Sequence, residues 1–116
     1  MAFDTYSKTF VLTNASAQLS LGLGANETLQ ISNAYYNNTS GSAVLVYLNK
    51  ADDGAAAATG NQLETAKSVG ATSGAGSALT GKNIIPGAKL YGYASTTGVV
   101  NLTIDGIVNA QAPRTW

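Results

Sequence analysis

The sequence predicts an all-β chain folded as a β-sandwich or jelly-roll-like domain with a long Ala/Gly-rich insertion. Three observations lead there. Apolar residues alternate with polar ones, most clearly at Ala17, Leu19, Leu21 and Leu23, and side chains two apart share one face of a strand. About seven strand-length segments rich in β-branched and aromatic residues are separated by Gly-, Asn- or Pro-containing turns. Helix signals are weak, because Gly, Ala, Ser, Thr and Asn dominate the composition.

Taken in order, Thr5–Thr13 reads as the first strand and Ala17–Leu23 as the second, with Gly24-Ala25-Asn26 as a turn. Thr28–Tyr36 carries Leu29 and Ile31 between polar residues. Asn37–Ser42 is a polar turn, and Ala43–Leu48 is a continuous apolar run, expected to be central and covered on both faces. Strand, turn and strand suggest a hairpin. Residues 51–81 depart from this pattern: Ala55–Ala58 and Gly70–Ser77 are built from small residues, with little apolar bulk beyond Leu63, Val69 and Leu79. The segment is expected to be an insertion loop, within which Asn61–Val69 could form a helical turn or a strand. Strand grammar returns with Ile84-Ile85 and the turn dipeptide Pro86-Gly87, then Lys89–Ala94, a turn at Ser95–Gly98, and Val99–Ile104. Asp105-Gly106 marks a bend or bulge before Ile107-Val108.

The chain of 116 residues fits one domain, residues 1–116. Residues 1–8 and 110–116 read as arms. Six basic residues balance six acidic ones, and only 10% of residues are charged against about 25% in an average globular protein. No basic cluster is available to bind phosphates, so neither nucleic acid nor an anionic membrane is an expected partner. No apolar run reaches the length of a membrane span, and no secretory leader is visible at Met1–Lys8. The chain contains neither Cys nor His, which removes disulfides, thiol nucleophiles, zinc sites of the usual kind and the commonest acid–base side chain. No cofactor is expected.

Candidate chemistry is sparse. Asp52-Asp53-Gly54 opens like a calcium loop but lacks the third carboxylate and closing Glu, so a solvated turn is the expectation. A Ser nucleophile would need a Lys base, and no Ser-x-x-Lys arrangement occurs. Asn-x-Ser/Thr triplets such as Asn26-Glu27-Thr28 are common by chance in this composition. Tyr35, Tyr36, Tyr47, Tyr91 and Tyr93 could stack on sugars, but packing and interface roles suit them better. No catalytic residues and no metal ligands are expected.

Three stretches, ISNAYYNNTSGSAVLVYL (31–48), PGAKLYGYA (86–94) and GVVNLTIDGI (98–107), resemble small virion proteins of tailed bacteriophages. The likeness covers about half the chain and lies in turn grammar. It implies a non-enzymatic virion structural protein, of the capsid decoration (cement) type. Such a protein would sit on the outer surface of the capsid, be made in the host cytoplasm, bridge subunits of the major capsid protein and associate with itself as a homotrimer. Phe3, Tyr6 and Trp116 are the expected partner-binding residues, as aromatic anchors on mobile arms. A neck, tail or fibre component of a virion is the alternative, and a carbohydrate-binding β-sandwich using the tyrosines is a second.

Overall fold

The computed structural model describes the backbone of residues 2–110 and the side chains of residues 4–109. Nine strands follow one another: β1 (Ala2–Val11), β2 (Ala17–Gln18), β3 (Glu27–Asn38), β4 (Val44–Ala51), β5 (Gln62–Val69), β6 (Gly74–Gly76), β7 (Asn83–Ile84), β8 (Lys89–Ala94) and β9 (Val100–Ala110). A single 3₁₀ turn at Thr59–Asn61 precedes β5.

The strands form two antiparallel sheets. One runs β1-β9-β3, with β6 and β7 pairing at different points along the far side of β3; the other runs β2-β8-β4-β5. Period-two side chains meet between them. Leu29, Ile31, Ala34 and Tyr36 of β3 and Val100, Leu102 and Ile104 of β9 face Val44, Val46 and Leu48 of β4 and Leu90 and Ala94 of β8, all buried in one core. This is the sandwich arrangement, in which each sheet hides one face against the other. The all-β expectation matches.

Four local expectations need correction. β3 and β4 are not a hairpin, because they belong to different sheets. The turn between them crosses the sandwich, and buried Asn38 holds the crossing: its Nδ2 donates to the Ser42, Val69 and Gly70 carbonyls at 2.8, 3.1 and 3.2 Å, and its Oδ1 accepts from the Ser40 amide at 2.9 Å. β4 is covered on one face only, since Leu45 is 38% exposed and Tyr47 half-buried on the outer side. Ala17–Leu23 keeps its alternation, with Leu19 and Leu21 buried, but pairs as a ladder only at Ala17–Gln18. The irregularity foreseen at Asp105-Gly106 lies on the neighbouring strand: β9 continues, while β3 bulges between Ile31 and Asn33. Gly106 makes that bulge possible, because a Cβ there would come within 2.1 Å of the Gln30 carbonyl oxygen.

The largest correction concerns residues 51–81. This stretch supplies β5, β6 and five buried residues: Ala51, Glu64, Val69, Ser77 and Leu79. Its longest stretch outside a strand is residues 52–61, which Asn49 anchors by donating to the Ala58 carbonyl at 2.9 Å and to Asn61 Oδ1 at 2.8 Å.

Candidate functional site

Of the expected aromatic anchors, Tyr6 alone has a described side chain. Phe3 and Tyr6 belong to β1, whose residues 2–11 pair continuously with β9 from Ala2 opposite Ala110 to Val11 opposite Asn101. Residues 2–8 are therefore strand rather than a free arm, and Ala110 likewise ends a strand. Tyr6 packs against the core, and its hydroxyl donates to the Leu21 carbonyl at 2.7 Å. Burial raises its pKa above the usual value of 10.0. The Phe3 side chain, Trp116 and the rest of the 111–116 tail lie outside the described residues.

The polar group that sequence reasoning missed is interior. Glu64 of β5 is 8% exposed. Its Oε1 accepts from the Tyr36 hydroxyl at 2.5 Å and from Ser77 Oγ at 2.7 Å, while Lys67 Nζ stands 3.9 Å from Oε2. Tyr36 comes from the opposite sheet, so the cluster ties the two sheets together. Burial first, then the hydrogen bond to Glu64 and its negative charge, push the Tyr36 hydroxyl well above 10.0. Enclosure favours a structural tie: a reacting group would need to reach solvent, and Tyr36 has no exposed surface. The sequence signal was a lone Glu next to Leu63, which nothing local distinguishes from a solvated strand residue.

Asp52-Asp53-Gly54 forms a turn. Lys50 pairs with Asp52, and Asp53 Oδ1 accepts from the Ala55 amide at 3.0 Å. Among the described residues, no group of three potential metal ligands is gathered. A shallow hollow of about 500 Å³ lies over this loop, lined by Lys50, Asp52, Ala56 and Asn61 among others. Its polar side chains are bonded within the loop itself: Lys50 to Asp52, Asp53 to the Ala55 amide, and Asn61 to the Ala56 carbonyl and the Ala58 amide.

The outer face of the second sheet carries the tyrosines. Tyr47 of β4 and Tyr93 of β8 are directly opposite, and their rings stack at 4.4 Å with planes 6° apart. Each ring thus spends one face on the other, which weakens the sugar-stacking alternative. The outer face of the first sheet is paved with short polar side chains: Thr5, Ser7 and Thr9 of β1 stand opposite Ile107, Asp105 and Thr103 of β9, with Asn33 and Tyr35 of β3 beyond them. Ser7 Oγ donates to Asp105 at 2.6 Å, and Thr9 and Thr103 hydroxyls meet at 3.0 Å.

No protein-family model matches the chain, and no curated protein matches it. Solved structures do. A chain of the disulfide-linked pili formed by Bacillus endospore appendages superposes with a TM-score of 0.56 at 12% identity, covering 96% of this chain and 88% of that one. The tobacco streak virus coat protein superposes with a TM-score of 0.37 at 10% identity, covering 97% and 88%, a likeness too distant to support an inference. The first likeness is one of fold. The chemistry named for those pili is not shared, because this chain has no cysteine. What the geometry and these comparisons establish together is a two-sheet antiparallel β-sandwich of the kind also found in the pilus chain.

Proposed function

We propose that the protein is a non-enzymatic structural component of a phage virion, which decorates the capsid and stabilises it by bridging subunits of the major capsid protein. The observation that carries the reading is the surface. The domain encloses its carboxylate–tyrosine cluster and leaves outside two weakly charged sheet faces of Thr, Ser, Asn and Tyr, bounded by one long strand edge. Tyr and uncharged residues suit a surface that ends against other proteins, and low charge suits poorly a surface that must stay in water alone. The resemblance of residues 31–48, 86–94 and 98–107 to tailed-phage virion proteins gives the direction, and the fold shared with a pilus chain, itself part of a polymeric assembly, agrees with it.

In this reading Phe3, the exposed part of Tyr6, and Trp116 meet the capsid partner, and self-association raises avidity; a homotrimer is the stoichiometry the sequence suggests. A decorating protein stabilises a shell by binding the assembled lattice better than free subunits. The test mixes the purified chain with empty shells and with free major capsid protein. Co-sedimentation with shells in many copies, together with a rise in shell melting temperature, is expected. Binding confined to one vertex would move the protein to the neck or tail, and no binding to virion parts would end the proposal.

A further inference from the structure

β1 is an outer strand with one side unused. Leu12 donates its amide to the Val100 carbonyl at 2.9 Å across the β1–β9 pair. In an antiparallel ladder this orientation repeats every second residue. Asp4, Tyr6, Lys8 and Phe10 therefore turn their backbone groups toward β9, and Phe3, Thr5, Ser7 and Thr9 turn theirs outward. No backbone partner meets these outward groups among the described residues. The edge is ten residues long, keeps unbroken register with β9 and contains no Pro. An edge of this kind is a template for another strand.

The remaining edges are protected. β2, β6 and β7 have two, three and two residues. β5 is interrupted by register shifts against β4 and carries Ala66 at φ 50, with charged Glu64 and Lys67 turned inward opposite buried Leu48 and Val46.

The occupant can be read from β1 itself. Its only charged residues are Asp4 and Lys8, on one face, two residues to either side of Tyr6. Strand pairing about a two-fold axis at Tyr6 sets Asp4 opposite Lys8 of a second copy, and Lys8 opposite its Asp4. The same register sets Thr5 opposite Ser7 and Phe3 opposite Thr9, so the outward backbone groups pair with each other. Asp4 and Lys8 then occupy the non-hydrogen-bonded positions, where opposed side chains stand closest. The other registers compatible with the outward groups lose this match: centring on Asp4 or on Lys8 opposes like charges, as does in-register parallel pairing, and centring on Thr5 or on Ser7 leaves both charges opposite uncharged residues. Lys8 now donates to the Ser20 carbonyl at 2.6 Å, and an ammonium has further donors to offer.

We infer that two copies of this chain associate by antiparallel pairing of β1 with β1, in the register that opposes Asp4 to Lys8, continuing the first sheet through a two-fold axis. The contact is isologous and closes at two copies, so it does not generate a filament. It replaces the homotrimer of the capsid reading with a two-fold pair and does not otherwise depend on that reading, since the protein alone suffices for the test.

The experiment is sedimentation equilibrium of the full chain over a concentration series, with circular dichroism to confirm folding. Wild type is expected as a monomer–dimer equilibrium. Ser7→Pro removes an outward amide without touching the β9 ladder and raises the dissociation constant at least about tenfold. Asp4→Lys, at an exposed position near the strand end, does the same by opposing Lys to Lys. The double exchange Asp4→Lys with Lys8→Asp restores the dimer, as does mixing Asp4→Lys with Lys8→Asp protein. A wild-type chain that stays monomeric, including one whose β1 accepts a strand only from another protein, overturns the inference. So does a trimer, a dimer unaffected by Ser7→Pro, or a double exchange and mixture that both fail to recover association.

Discussion

β1 and β5 are both outer strands of similar length, ten residues and eight, and they end different sheets of the same sandwich. β1 is regular, and its two charges sit where a second copy can neutralise them. β5 is bent at Ala66, and its charges are consumed inside: Glu64 by Tyr36 and Ser77, with Lys67 beside it. The same residue types thus open one edge and close the other. What differs is whether a carboxylate and an ammonium stay exposed at the edge, as Asp4 and Lys8 do, or the carboxylate is held inside by the chain's own hydroxyls, as Glu64 is. A strand that satisfies its polar groups internally has nothing left to offer outside.

The sharpest way to break this contrast is to empty the inside of β5. Glu64→Ala leaves the buried Tyr36 and Ser77 hydroxyls without their acceptor and should cost about 3 kcal/mol in urea unfolding. Glu64→Gln keeps an acceptor and should cost less than half as much. If both substitutions are equally mild, the cluster is not what ties β5 to the opposite sheet.

Alkaline pH tests the same tie through its tyrosine. Below pH 10 Tyr36 is protonated whether the chain is folded or not, and it contributes no pH dependence. Above pH 10.0 the unfolded chain releases this proton while the folded chain, with its raised pKa, retains it. The unfolded state then binds fewer protons, so stability falls as pH rises, by about 1.4 kcal/mol per pH unit. Tyr36→Phe should flatten that slope, measured by urea midpoints between pH 9 and pH 11; a slope unchanged in Tyr36→Phe assigns it elsewhere.

A smaller effect converts one edge toward the other. Lys67→Val removes an inward charge from β5 and should change monomer stability by under about 1 kcal/mol, since the cation is partly exposed and its pair with Glu64 is long. It should nevertheless add a new, weak, concentration-dependent association visible by light scattering, even in a Ser7→Pro background. No added association in that background would mean that the bulge alone closes the edge. Least of all, Ala66→Gly should raise stability by about 0.5 kcal/mol, because a residue at φ 50 is strained with a Cβ, although glycine also loosens the unfolded chain. A loss of stability there would show that the methyl group packs.

The sequence made the strands on either side of residues 51–81 readable and hid that stretch, for one physical reason. Val100, Leu102 and Ile104 bury large side chains at period two, and so do Leu29 and Ile31, so hydrophobic alternation announces those strands. Between 51 and 81 the interior is filled by Glu64 and Ser77 beside Val69 and Leu79. Polar residues that bury by bonding to each other look like loop composition until their partners are known, and the partner Tyr36 lies 28 residues away from Glu64. Asn38 misled in the same way: in an Asn-Asn-Thr-Ser-Gly run it reads as a hairpin tip, whereas its amide is buried and routes the chain between sheets. As for the aromatic anchors, composition placed Tyr6 on an arm because nothing in the sequence reveals that β9 stands beside it.

The pairing of Ala2 with Ala110 puts the points where the backbone enters and leaves the sandwich on adjacent strands. A polypeptide built this way can be spliced into a surface loop of an unrelated host, since its two attachment points sit as close as the ends of the loop it replaces. For the same reason, the backbone at Ala2 and at Ala110 lies at one pole of the molecule.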